Sequence, residues 1–180
     1  DRLLPVVLLG IEEHENLFVD HDGNWEARYI PAYIRRYPFV TTDGSEGQMT
    51  VCFDDSFDGF NHENGIPLFE NGEPTEKMKE IESFLQEYYH QIQQTEQFCG
   101  ALSQKGLLKE ITAQVNLNDG RKYALNGLQV VDEEKLSELS DLEIVGLFRN
   151  GMLELIHAHL LSLRHFGDLV DRKTLKQQQD

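Results

Sequence analysis

Histidines, a pair of arginines and one acidic loop are the residues whose types and spacing admit chemistry in this sequence. His157-Ala158-His159 has the HxH spacing seen in metal-binding β-barrels. On a helix the two rings lie about 160–200° apart, so they cannot chelate one ion together. His159 falls within the arc of Met152, Ile156 and Leu163 and is expected to be the more buried. His157 sits on the flank beside Leu153, Leu160 and Leu161. A buried imidazole can be tuned to titrate near neutrality, which makes His157 and His159 the candidate catalytic residues. A core His159 hydrogen-bonded to backbone or to a carboxylate is the simpler expectation. Glu154-x-x-His157 and Glu87-x-x-His90 also carry the spacing of di-metal carboxylate bundles. Those bundles need two further inward glutamates, and His90 projects away from the apolar seam of its segment.

Asp54, Ser56, Asp58 and Gly59 match positions 1, 3, 5 and 6 of an EF-hand calcium loop. Position 12 is Gly65, where a bidentate glutamate is required, and Glu63 comes two residues early. Asp54, Asp58 and Glu63 are thus weak metal candidates, and an acidic surface loop is expected. No cofactor is called for. The stretch Trp25, Tyr29, Tyr33, Arg35, Arg36 and Tyr37, followed by Phe39, is the candidate binding surface. Ten of the 17 aromatic residues lie between positions 18 and 69. Aromatics beside arginine anchor carboxylates, peptides and partner proteins. The competing expectation is an aromatic core with the arginines neutralising nearby acids. Neighbours on a helix point about 100° apart, so Arg35 and Arg36 are expected to differ: one pairs with an internal acid, the other faces a partner.

Charge narrows the partners. Sixteen bases stand against 32 acids, a net charge of −16, and residues 1–70 hold 14 of the acids but only four bases. That field repels nucleic acid and anionic lipid. No apolar run approaches the ~20 residues of a membrane span. The two cysteines, Cys52 and Cys99, form no CxxC and suit a reducing compartment. Cytoplasm is therefore the expected location, with the cell surface as the alternative. The chain starts at Asp1 without Met, so preceding sequence with any targeting signal is expected to be missing. GxSxG, P-loop, GxGxxG and HExxH motifs are all absent.

The elements that must position these residues follow from periodicity. Leu4, Val6, Leu8 and Ile11 suggest a strand, and Asn16–Asp20 a second one ending at the Asp22-Gly23 turn. Ala27–Arg36 has helical spacing, stopped by Pro38. Met49–Phe53 is a strand, residues 54–65 a loop, and Ile66–Phe69 a short strand. From Pro74 to about Gln104 the residues Met78, Ile81, Leu85, Tyr88, Ile92, Thr95, Cys99 and Leu102 form the apolar seam of a long helix. It packs on its own core or forms a homodimer interface, and the core is preferred. Ile111–Leu117 alternates, Asn118-Asp119-Gly120 turns, and residues 121–131 return with a bulge at Asn126-Gly127. Asp132 caps a short helix with Val131 and Leu136 as a staple, and Ser140 with Glu143 forms a capping box. A helix ends at Asn150-Gly151, a last one runs from Met152 to about Val170, and residues 173–180 fray.

Four stretches together resemble a known family. NLFVDHDGNWEARYIPAYIRRYPF (Asn16–Phe39), PLFENGEPT (Pro67–Thr75), NGLQVVDEEKL (Asn126–Leu136) and GMLELIHAHLLSL (Gly151–Leu163) are similar to the SapC-like family of bacterial proteins. The resemblance runs from Pro5 to about Arg172 and implies additional N-terminal sequence. The family name implies an association with a paracrystalline surface layer, which is not itself a mechanism. A peptide-transporter permease of the same name is unrelated.

These readings predict a single α+β domain over residues 1–180, with a mainly antiparallel sheet packed against one long helix and C-terminal helices. The function they favour is a non-enzymatic accessory protein that binds a protein or peptide. A small hydrolase or metal-dependent enzyme on His157 or His159 is one alternative, and a surface-layer structural protein is another.

Overall fold

A computed structural model describes residues 3–44, 49–61, 63–117 and 120–177. The chain is α+β: antiparallel strand pairs, one long helix and a C-terminal run of helices. Among the described residues the strands make three separate two-stranded pairs rather than one sheet. Two compact units are formed. One comprises Asp1–Glu26 with Glu96–Asp180, the other Ala27–Thr95.

The second unit begins with α1 (Ala32–Arg35), a single turn where ten helical residues were expected. Proline fixes its own φ, lacks an N–H and pushes its predecessor into an extended conformation, so the helix starts only after Pro31. After the Tyr37-Pro38 peptide, which is cis, β1 (Phe39–Asp43) pairs with β2 (Met49–Phe53). The expected strand at Ile66–Phe69 is displaced to a two-residue pair, β3 (Phe69–Glu70) with β4 (Glu73–Pro74). The long helix α2 (Glu76–Gln104) follows. Its seam is covered by the chain itself: Met78, Leu85, Cys99 and Leu102 are buried and the four residues between them half-buried.

In the first unit, β5 (Leu108–Asn116) and β6 (Lys122–Val131) form the expected hairpin. Asn118 and Asp119 of its turn lie outside the described residues. Thr112 faces the extra residues Asn126-Gly127, a bulge that the positive φ of Gly127 permits. Asp132 accepts the Glu134 N–H and caps α3 (Glu133–Ser137). The Ser140–Glu143 capping box opens α4 (Asp141–Arg149), and Gly151 in the left-handed conformation separates it from α5 (Met152–Ser162). The expected continuous last helix is broken by a 3-10 turn at Leu163–His165, after which α6 (Phe166–Gln177) begins. The two halves serve different clusters. Ile156 of α5 joins Leu102, Leu107, Val131 and Leu147. Leu169 of α6 joins Ile11, Leu17, Val115 and Leu117. Burying each such side chain contributes about 1.5–3 kcal/mol.

Three expectations at the ends of the chain fail. Leu4 and its neighbours form no strand: Leu4, Val6 and Val7 are exposed, and among the described residues no ladder partner lies beside them. Asn16–Asp20 contributes only an isolated bridge, Val19 to Trp25. The residues expected to fray are helical to Gln177, and Lys173 is buried. Its ammonium donates to Glu15 and lies 2.6 Å from Glu12. Glu15 also accepts the N–H groups of Ile11 and Glu12, and Tyr123 Oη donates to Glu12 at 2.7 Å. Lys176 adds a bond to the Val19 carbonyl and lies 3.6 Å from Glu26. The α6 helix is thereby tied to the N-terminal segment by charge as well as by apolar packing.

The lysine cluster makes a prediction with a pH signature. Hydrogen bonds from Lys173 and Tyr123 hold Glu12 below its ordinary 4.5. Burial pushes Glu15 up, but Lys173 and the two amides outweigh it, and the net shift is down. Burial likewise opposes the charge on Lys173, but the two carboxylates raise it above 10.5. The carboxylate contribution is thus present above pH 4.5 and drains as pH falls through the lowered values. The ammonium contribution is present below pH 10.5 and drains as pH rises through the raised value. Removing one partner of a fully buried pair costs about 3–5 kcal/mol. Glu12 is 40% exposed, so Lys173→Ala is expected to cost about 2 kcal/mol at neutral pH. Thermal melts should show the gap to wild type narrowing below pH 4.5.

Candidate functional site

The structure divides the expected binding stretch. Trp25 belongs to the first unit, where it stacks on Phe18 with centroids 5.7 Å apart. The Arg172 guanidinium covers the same Phe18 ring at 4.6 Å. Tyr29 through Tyr37 belong to the second unit.

There the two arginines differ, though not in the expected way. Among the described residues neither pairs with an acid. Arg36, half-buried, lies over the Tyr33 ring at 4.5 Å and the Tyr88 ring at 5.5 Å. Its Nη1 donates to the Phe39 carbonyl at 3.4 Å, while its buried Nε has no partner. Arg35 is exposed and lies over Phe84 at 4.4 Å. A guanidinium is weakly hydrated and flat, so an aromatic face satisfies it without an acid. The missing acid pair thus reflects geometry: a single turn of helix projects both arginines onto rings of α2.

The tyrosines face solvent. Tyr33 is 67% exposed and Tyr37 52%, and Tyr29, Ile30 and Phe53 are also exposed. The phenylalanines beside them cluster without being buried. Phe60 meets Phe39, Phe53 and Phe57 edge-on at 5.3–6.0 Å. Phe57 also receives Tyr37, with centroids 5.4 Å apart at 87°. Tyr37 Oη donates to Asp54 at 3.0 Å, which raises the phenol's pKa. Asp54 is held low, first by the Ser56 hydroxyl, then by the Ser56 N–H and by Tyr37. Asp54 is therefore turned into the Tyr37 contact and its own loop. Among the described residues no group of three or more His, Cys, Asp or Glu is placed to hold a metal ion.

The histidines lie elsewhere, on α5 of the first unit. His157 is exposed and His159 half-buried. His159 Nε2 accepts the Val131 N–H at 3.2 Å, and burial lowers its pKa. That nitrogen is occupied by the end of β6, which is a structural use. Glu87, His90 and Glu154 are exposed. Cys99 is buried and its thiol raised by burial; Cys52 is half-buried.

Two open grooves lie in the second unit. One of about 550 Å³ is lined by Ile66, Pro67, Pro74 and Thr75 with Glu70, Glu73 and Glu76. The other, about 560 Å³, lies along α2 beside Phe84. Neither is enclosed as a catalytic cleft usually is. Among the described residues no helix is long and apolar enough to cross a membrane.

The SapC family profile matches residues 1–169. The chain belongs to the SapC family. No curated protein and no solved structure matches it. In this SapC-family chain, sequence reasoning missed Lys173, Phe84 and Tyr88. A signal existed for Lys173: it follows Phe166, Leu169 and Val170 at i, i+3, i+4 and i+7, on an apolar face.

His159 supplies a test. Its folded pKa lies below its ordinary 6.5. Its contribution to stability is therefore present above about pH 6.5 and lost as pH falls through that value toward the lowered one. Melting temperatures of His159→Gln, measured from pH 7.5 to 5.5, should fall less on acidification than those of wild type.

Proposed function

We propose that this SapC-family chain is a non-enzymatic binding protein, and that its contact surface is the tyrosine–arginine face of the second unit. The observation that carries the reading is the exposure of Tyr29, Tyr33 and Tyr37 around two arginines already fixed on rings. Tyrosines in a core would be buried. Tyrosine and arginine are the residues that binding surfaces use most. They present large, stiff area with a polar end and lose little entropy on contact. Arg36 is stacked before any partner arrives, so the ordering cost is already met. Arg35 is left to meet a carboxylate on a protein or peptide. The catalytic alternative on His159 draws no support from a ring nitrogen that already accepts a backbone N–H.

The arginines should separate in experiment. A photo-crosslinking phenylalanine at Tyr33, introduced in the source cell, should yield a discrete protein adduct. Arg35→Ala should reduce that adduct, in keeping with a loss of about 1.5–3 kcal/mol for a charged hydrogen bond, and lower stability only by the ~0.5 kcal/mol of its exposed ring contact. Arg36→Ala should cost about 1 kcal/mol of stability through its lost ring contacts. An adduct that Arg35→Ala does not alter, or no adduct at all, would remove the reading.

A further inference from the structure

The face that α4 turns to solvent is apolar. Leu142, Val145 and Phe148 recur every three residues and are 82%, 41% and 72% exposed. Leu147, on the opposite side, is buried with Leu102, Val131 and Ile156. At 100° per residue, Phe148, Asp141, Val145, Arg149, Leu142 and Gly146 share one arc of about 160°. A contiguous exposed stripe of this kind marks an interaction site rather than scattered surface leucines.

The stripe is complementary to itself. Asp141 closes one end, Arg149 the other, and Val145 stands midway. Turned end for end about Val145, it meets itself with Leu142 opposite Phe148 and Asp141 opposite Arg149. Among the described residues neither Asp141 nor Arg149 has an ion-pair partner. Gly146 leaves a notch, since a Cβ there would meet nothing within 4 Å. An isologous interface demands this two-fold arrangement. Two copies of a chain with net charge −16 repel, and the stripe is locally neutral, with one acid and one base.

We propose that two copies of this chain associate through α4, packed antiparallel about a two-fold axis at Val145. Three large side chains per copy bury far less than the ~800 Å² per partner of a stable complex. The dimer is therefore reversible, with a dissociation constant in the micromolar range.

Sedimentation velocity over a micromolar concentration series tests this. Wild type should pass from monomer to dimer. Phe148→Glu should raise the dissociation constant about thirtyfold or more, as replacing a large apolar anchor by a charge does. Asp141→Arg and Arg149→Asp should each weaken the dimer, and together they should restore it. Circular dichroism confirms that each variant is folded. A wild type that stays monomeric overturns the proposal, as does a dimer indifferent to Phe148→Glu. Single swaps that weaken without recovery in the double swap overturn the antiparallel register. A monomer in which Phe148→Glu lowers the melting temperature would mean that another part of the chain covers the stripe, and also overturns it.

Discussion

An ammonium group taken out of water must be compensated, and Lys173 is compensated by two carboxylates from the other end of the chain. Glu15 lies 158 positions away in sequence. It cannot serve without the tight loop that aims its carboxylate at both Lys173 and the amides of Ile11 and Glu12. Gly10 makes that loop feasible, because a Cβ there would come within 2.5 Å of the Glu15 carbonyl. The apolar cluster of Ile11, Leu17, Val115, Leu117 and Leu169 forms around the same meeting of α6, the hairpin and the N-terminal segment. Packing supplies the larger free energy, and the ion cluster fixes which segments meet, since a misplaced charge in that setting would go unpaired.

With half as many bases as acids, the use of each cation is informative. Lys173 and Lys176 hold the N-terminal segment, Lys109 meets the cap residue Asp132 at 3.3 Å, and Lys135 donates to the Gly106 carbonyl at the end of α2. Four cations thus stabilise the first unit. Arg35 and Arg36 are used differently from these lysines: they lie over rings of α1 and α2, and among the described residues neither pairs with an acid. Cations withheld from neutralising work in so acidic a chain, and set among exposed tyrosines, are what gives that face its reading as a contact surface.

Local signals were legible and distant ones were not. The α2 seam, the β5–β6 alternation, the bulge at Gly127, the Asp132 cap and the Ser140–Glu143 box all depend on residues within a few positions of one another. The strand expected at Leu4–Ile11 failed because a strand requires a partner, and hydrophobicity alone does not provide one. The tail was misread because lysine normally marks solvent, and Lys173 is inside only through Glu12 and Glu15. For the binding stretch, composition pointed to the right residue types. It did not reveal that Trp25 stacks with Phe18, whose ring Arg172 also covers, or that Phe84 and Tyr88 complete the arginine contacts. Those contacts connect residues about 50 positions apart, beyond any periodicity.

Tyrosine-selective labelling tests the contact surface most directly. The purified chain and the same chain in extract of its source cell are labelled in parallel and each tyrosine is quantified. Labelling of Tyr33 and Tyr37 should fall in the extract, while Tyr123, bonded to Glu12, should label equally in both. Equal labelling of Tyr33 and Tyr37 in the two samples would contradict it.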